Sequence, residues 1–156
     1  MDSYLLLKLI HILAAVVVTG TGAGIAFFMF MANRSSNPQA IYVTAKTVIL
    51  GDWIFTTPAV ITQIVTGFLL MNKLGYSYTS NWFYLVIGLF VFIGVCWLPV
   101  LRIQYQLKKL AEESIKSESV TPEFKKLMKV WTMLGIPAFL SILVIFYLMV
   151  FKPMLS

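Results

Sequence analysis

Stretches free of Asp, Glu, Lys and Arg recur four times along the chain: Leu9 to Met31, Trp53 to Asn72, Tyr76 to Leu101 and Val130 to Phe151. Each is long enough to cross about 30 Å of hydrocarbon as a helix, which takes about 20 apolar residues. None has the two-residue alternation of a barrel strand, and in lipid backbone polar groups must be satisfied within a helix or a closed barrel. The pattern predicts an all-α fold, a four-transmembrane-helix bundle forming one integral membrane domain over residues 1–156. Its helices are expected at about 4–33, 38–72, 80–112 and 122–152.

Local punctuation sets the boundaries. Asn37-Pro38 and Thr121-Pro122-Glu123 each place a capping side chain before a proline at the first helical position. The second helix then starts well before its apolar run, so its first turns around Ile41 to Lys46 lie along or above the membrane surface. Ile103, Leu107 and Leu110 recur at helical spacing, and Glu112 and Lys116 form an i,i+4 pair in the favourable order, so the third helix projects beyond the bilayer. Pro58 and Pro137 each predict a bend, Pro58 freeing a carbonyl for nearby Thr hydroxyls or water.

Composition sharpens the class. Of 156 residues 60% are apolar and 12% charged, more apolar surface than a domain of this size hides in water. The lone cysteine, Cys96, cannot form an internal bridge. The first run begins near Asp2 without a basic cluster and is too long for a signal peptide, so it is read as a retained span. Nine of the twelve Lys and Arg residues lie in or beside the two loops after helices one and three: Arg34, Lys46, Arg102, Lys108, Lys109, Lys116, Lys125, Lys126 and Lys129. Only Lys8, Lys73 and Lys152 lie at the other end. The positive-inside rule therefore places the protein in the cell inner membrane with both termini outside, towards the periplasm of a Gram-negative cell. The net charge of +6 reads as an inner-leaflet signal and not as a nucleic-acid footprint. The partner this implies is the lipid bilayer.

Candidate chemistry centres on His11, the only histidine, about 10 Å below the outer end of helix one by helical rise. An ionisable residue within a span faces the bundle and marks a functional-site candidate, although a neutral imidazole can also simply bond a neighbouring helix. Ala15, Thr19, Gly22 and Ala26 follow on the same face, and Gly20 and Gly24 repeat the small-xxx-small spacing. Such a strip admits another helix, or the plane of a porphyrin ligated by His11. Because helices one and two run antiparallel, counting from their shared outer end sets His11 level with Gln63 to Gly67. The candidate site is thus His11, Gln63 and Thr66, with Ala15, Thr19 and Gly22 lining a cofactor and His11 as the metal ligand. Met71 and Met149 lie at the outer level as further soft ligands, though both fit core packing. Asp52 is expected at the inner interface, pairing with Asn33 or Arg34 and anchoring the loop. No phosphate-binding glycine loop, nucleophile triad or paired intramembrane carboxylate occurs, which removes hydrolase and ion-pump readings.

Leu9-Ile10-His11-Ile12-Leu13, the Gly20 to Gly24 cluster, Asp52 to Pro58 with Thr66-Gly67, and Phe146-Tyr147-Leu148-Met149 with Lys152-Pro153 resemble the domain-of-unknown-function 2269 family. The resemblance spans essentially the whole chain and implies a bacterial integral membrane protein, with no activity to carry over. A fainter likeness joins His11, Gly20 and Arg34 to the HemJ-type protoporphyrinogen oxidases and the membrane copper-resistance proteins. The HemJ-type pattern has a lysine soon after a tryptophan in helix three, whereas Trp82 is followed by Phe83, Tyr84, Leu85 and Val86. The likeness therefore implies haem binding through His11 and does not extend to the oxidase activity. Three functions are consistent with these residues: a protein binding b-type haem or another small cofactor through His11, a non-enzymatic assembly subunit forming a homo-oligomer or holding a partner helix through the small-residue face of helix one, and a small-solute transporter.

Overall fold

The computed structural model describes residues 3–152 as helices joined by short turns, with no strand among them. Helix α1 spans Ser3–Ser35, α2 Pro38–Gly51, α3 Thr57–Leu74, α4 Asn81–Lys116 and α5 Pro122–Phe151. A five-residue π-helical turn, Asp52–Thr56, joins α2 to α3, so Pro38–Leu74 is one continuous rod. Four helices, Ser3–Ser35, Pro38–Leu74, Asn81–Lys116 and Pro122–Phe151, are long and apolar enough to cross a membrane. The fold is the all-α four-helix bundle that the hydropathy pattern predicts.

The proline-led starts are built as capped N-termini. Asn37 Oδ1 accepts from the N–H groups of Gln39 and Ala40, and Thr121 Oγ1 accepts from that of Phe124. Gly75, at φ 65°, ends α3 in the left-handed region that glycine adopts without strain. The bend expected at Pro58 takes a specific form. Proline brings no N–H to the preceding turn, and just ahead of it the ladder shifts to i→i−5 bonding, with Thr57 N–H donating to the Asp52 carbonyl. The extra residue turns Asp52 and Thr56 into the bundle while Trp53, Ile54 and Phe55 face outward. The Thr hydroxyls expected to satisfy the freed carbonyl do not do so, since Thr56 Oγ1 and Thr57 Oγ1 are buried without a hydrogen-bond partner.

Packing is uneven along the bundle. The buried cluster of Met29, Ile41, Val48, Leu107, Phe124 and Trp131, with their neighbours, lies at the end that carries the α1–α2 and α4–α5 turns. There α2 packs between α1 and α4, and α4 packs along α5. Beyond the π turn α3 stays against α1, and no Cα of α3 comes within 8 Å of one in α4 or α5. The half of the bundle nearer the termini is therefore open between α3 and α4. Its rim is tied by the loop between them: Tyr78 Oη donates to Asn72 Oδ1, Lys152 Nζ to Tyr76 Oη, Lys73 Nζ to Ser3 Oγ, and Trp82 Nε1 to the Leu148 carbonyl. Ser3, this loop and Lys152 thus share one end, as four spans require. The basic residues around the α1–α2 and α4–α5 turns occupy the other.

Candidate functional site

The first polar cluster forms where α1 and α3 cross in the open half. Thr66 lies on the face of α3 turned towards α1, and its hydroxyl donates back to the Thr62 carbonyl at 2.5 Å, as an intrahelical threonine does. That commits its one proton. The 2.7 Å contact between Thr66 Oγ1 and His11 Nδ1 must then be donated by the ring, which fixes neutral His11 as the Nδ1–H tautomer. Its Nε2 keeps a lone pair and makes no hydrogen bond among the described residues. Gln63, one turn earlier, donates Nε2–H to the His11 backbone carbonyl at 2.5 Å. Gly67 completes the turn, and a Cβ placed there would meet His11 Cε1 at 3.5 Å, so the ring edge lies against the α3 backbone.

His11, Gln63 and Thr66 are thus brought together, and counting residues from the shared end of two antiparallel helices was sufficient to find them. The other three candidate residues lie along α1, outside this hydrogen-bonded group. Thr19 spends its hydroxyl on the Ala15 carbonyl of its own helix at 2.8 Å. Gly22, like Gly20, has no atom within 4 Å of where a Cβ would stand. Among the described residues nothing packs on Gly20 or Gly22; α1 instead meets the second span at Gly51, where Ile25 Cδ1 would lie 3.4 Å from a Cβ. Met71 is buried on α3.

A second polar site lies at the π turn, and its partner is not the one expected. Asp52 is 4% exposed and accepts from Gln104 Nε2 of α4 at 2.6 Å through Oδ2. It does not pair with Asn33 or Arg34. The fourteen residues of α2, Pro38–Gly51, precede it, about 21 Å of helix, so the end of α1 is out of reach. Gln104 was missed altogether. The available signal was its place beside Ile103 and one turn before Leu107, on the stripe that the structure buries as Ile103, Gln104, Leu107 and Ala111. No group of three or more His, Cys, Asp and Glu residues that could hold a metal ion occurs among the described residues.

Comparison with known proteins returns one family. The model of DUF2269, described as predicted integral membrane protein, matches residues 5–153. No curated protein matches, and no solved structure does.

Proposed function

The chain belongs to the DUF2269 family of predicted integral membrane proteins, and from that premise we propose that it carries a cofactor in the bacterial inner membrane, with His11 Nε2 as the ligating atom and b-type haem as the cofactor. The observation that carries this reading is the hydrogen bond on Nδ1: Thr66 Oγ1 accepts from Nδ1–H, which leaves Nε2 free, the arrangement in which a histidine ligand is oriented by a hydrogen bond on its other nitrogen. Haem bound there would supply an iron centre able to exchange single electrons. The chain's own residues hold the ring. Thr66 fixes its tautomer, Gln63 ties α3 to α1 at the same level, and Gly67 lets the ring edge lie against α3. Ala15, Thr19 and Gly22 extend a shallow face along α1 beside it, with open space at Gly22. The basic end, with Arg34, Lys46, Lys108, Lys125 and Lys126, would face the cytoplasm and the histidine would lie in the outer half.

Protein purified after haem-replete expression is expected to show a Soret band that is absent in His11→Ala. Thr66→Val is expected to weaken haem affinity by about 10- to 100-fold, the usual loss when a ligand histidine's supporting hydrogen bond is removed. A colourless wild-type protein, or a band unchanged in His11→Ala, removes the proposal.

One observation favours a second reading, an assembly role. The empty space around the Cβ positions of Gly20 and Gly22 is suited to the close approach of a helix from another copy. Gly22→Leu is then expected to convert an oligomer to monomer in detergent, and an unaltered size would exclude it.

A further inference from the structure

Tyr105, exposed on α4, accepts at 2.9 Å from Trp53 Nε1 of the π turn, and a tryptophan–tyrosine pair on an outward face marks the level of the membrane–water interface. Beside and beyond that level lies a surface cleft of about 290 Å³, lined by Gln106, Lys109, Leu110 and Glu113 of α4 and Leu127 of α5. Leu110 and Leu127 are half-buried and rest on the core cluster, so the apolar part of the cleft is held by packed helices. The three polar side chains are exposed, and among the described residues none of them forms a hydrogen bond or an ion pair. Lys109 and Glu113 stand one turn apart on the same face, but lysine ahead of glutamate is the less favourable order for pairing within a helix. The cleft is therefore neutral in sum, with two separate poles, at an end of the bundle that is otherwise basic. By helical rise Lys109 lies about 6 Å beyond Tyr105 and Glu113 about 12 Å beyond it. Helical side chains lean towards the N-terminus, which for α4 is back towards the membrane, so both poles fall against the headgroup layer.

We propose that this cleft binds a phospholipid with an ethanolamine headgroup, Lys109 taking the phosphate, Glu113 the ammonium, and the Gln106 amide an oxygen at the glycerol level. The assignment rests on the order of charges along the membrane normal. In such a lipid the phosphate adjoins the glycerol and the ammonium lies two carbons further towards water. In the cleft the cation comes first after the span, and the carboxylate follows one turn beyond. Each pole would then make a charge-assisted hydrogen bond, which neither makes within the chain. A choline headgroup has no N–H to give Glu113, and a glycerol headgroup brings a negative charge with no positive one to meet it. The other lysines at this end attract any anionic lipid without regard to headgroup shape; the Lys109–Glu113 order selects a dipolar one. The cleft is separate from His11, and its test does not depend on any cofactor being bound there.

The test is native mass spectrometry of the full-length protein in detergent, titrated with dioleoyl lipids bearing ethanolamine, choline or glycerol headgroups, with the affinity for the first bound lipid as the readout. The ethanolamine lipid is expected to bind about 10-fold more tightly than either of the others, the factor that one charge-assisted hydrogen bond supplies. Glu113→Gln should remove that preference. The double variant Lys109→Glu, Glu113→Lys keeps the net charge and the exposed positions but reverses the two poles, and it should lose the preference as well. Equal affinities in the wild-type protein, tighter binding of the glycerol lipid, or a preference that survives the reversal overturns the proposal, because diffuse attraction to the basic end then accounts for binding. Glycerophosphoethanolamine, which has no acyl chains, is expected not to compete at concentrations equal to the lipid; full competition there would mean a soluble ligand and would also overturn it.

Discussion

Phe124→Ala is expected to lower the unfolding free energy by about 3–5 kcal/mol, the usual result of truncating a fully buried phenylalanine, whereas Val150→Ala should change it by less than about 0.5 kcal/mol. The contrast follows from where each solvent operates. Phe124 is 0% exposed in the first turn of α5, packed into the cluster with Ile41, Leu107 and Ala111. Lys108 and Lys109 of α4 and Lys125 and Lys126 of α5 lie at the same end of their helices, and so many charges are expected in water and not in hydrocarbon. Val150 is 75% exposed on an outward face near the other end. Lipid tails are as apolar as the side chain itself, so burying an apolar group between helices within the hydrocarbon yields little hydrophobic gain. At the basic end water is the competing solvent and the full effect applies. Denaturant titration in detergent, with both variants measured beside the wild type, checks this. Equal losses in the two would mean that the basic end is not the stabilising core.

The same division explains what could be read in the sequence. Span number and helix starts follow from composition and from Asn37-Pro38 and Thr121-Pro122, because lipid and capping act locally and leave their mark on the residues concerned. The His11, Gln63 and Thr66 group was legible because two antiparallel helices joined at one end have a register that counting recovers. Asp52 was misjudged because its neighbour was sought on α1, the preceding span in sequence. The π turn directs it instead towards α4, 52 residues away along the chain. A π turn has no reliable sequence signature; Pro58 predicts a disturbance but not which residues rotate inward. Gln104 escaped because a stretch with many charges reads as a solvated extension. The buried stripe of that stretch, Ile103, Leu107 and Ala111, carries a polar residue only because a polar partner waits across the interface.

The Asp52–Gln104 contact supplies the other large effect. Gln104→Leu removes the amide that donates to a buried carboxyl group at 2.6 Å and is expected to destabilise the protein by about 2–4 kcal/mol, since a buried acceptor is left without its donor. Leucine matches glutamine closely in volume, so little of that loss arises from packing. The diagnostic measurement is a double-mutant cycle with Asp52→Leu. Once the carboxylate is gone, Gln104→Leu removes a donor that no longer has its acceptor, and its cost should fall below about 1 kcal/mol, because replacing both polar partners by apolar groups is close to neutral. A coupling of this size would show that α2 and α4 are held together at the π turn by a polar bond and not by apolar packing alone. That bond lies where α3 begins to part from α4, so it marks the point at which the closed half of the bundle gives way to the open half. Additive losses across the cycle would instead mean that the two side chains act independently, and that packing of Val48, Leu107 and Trp131 alone closes the bundle there.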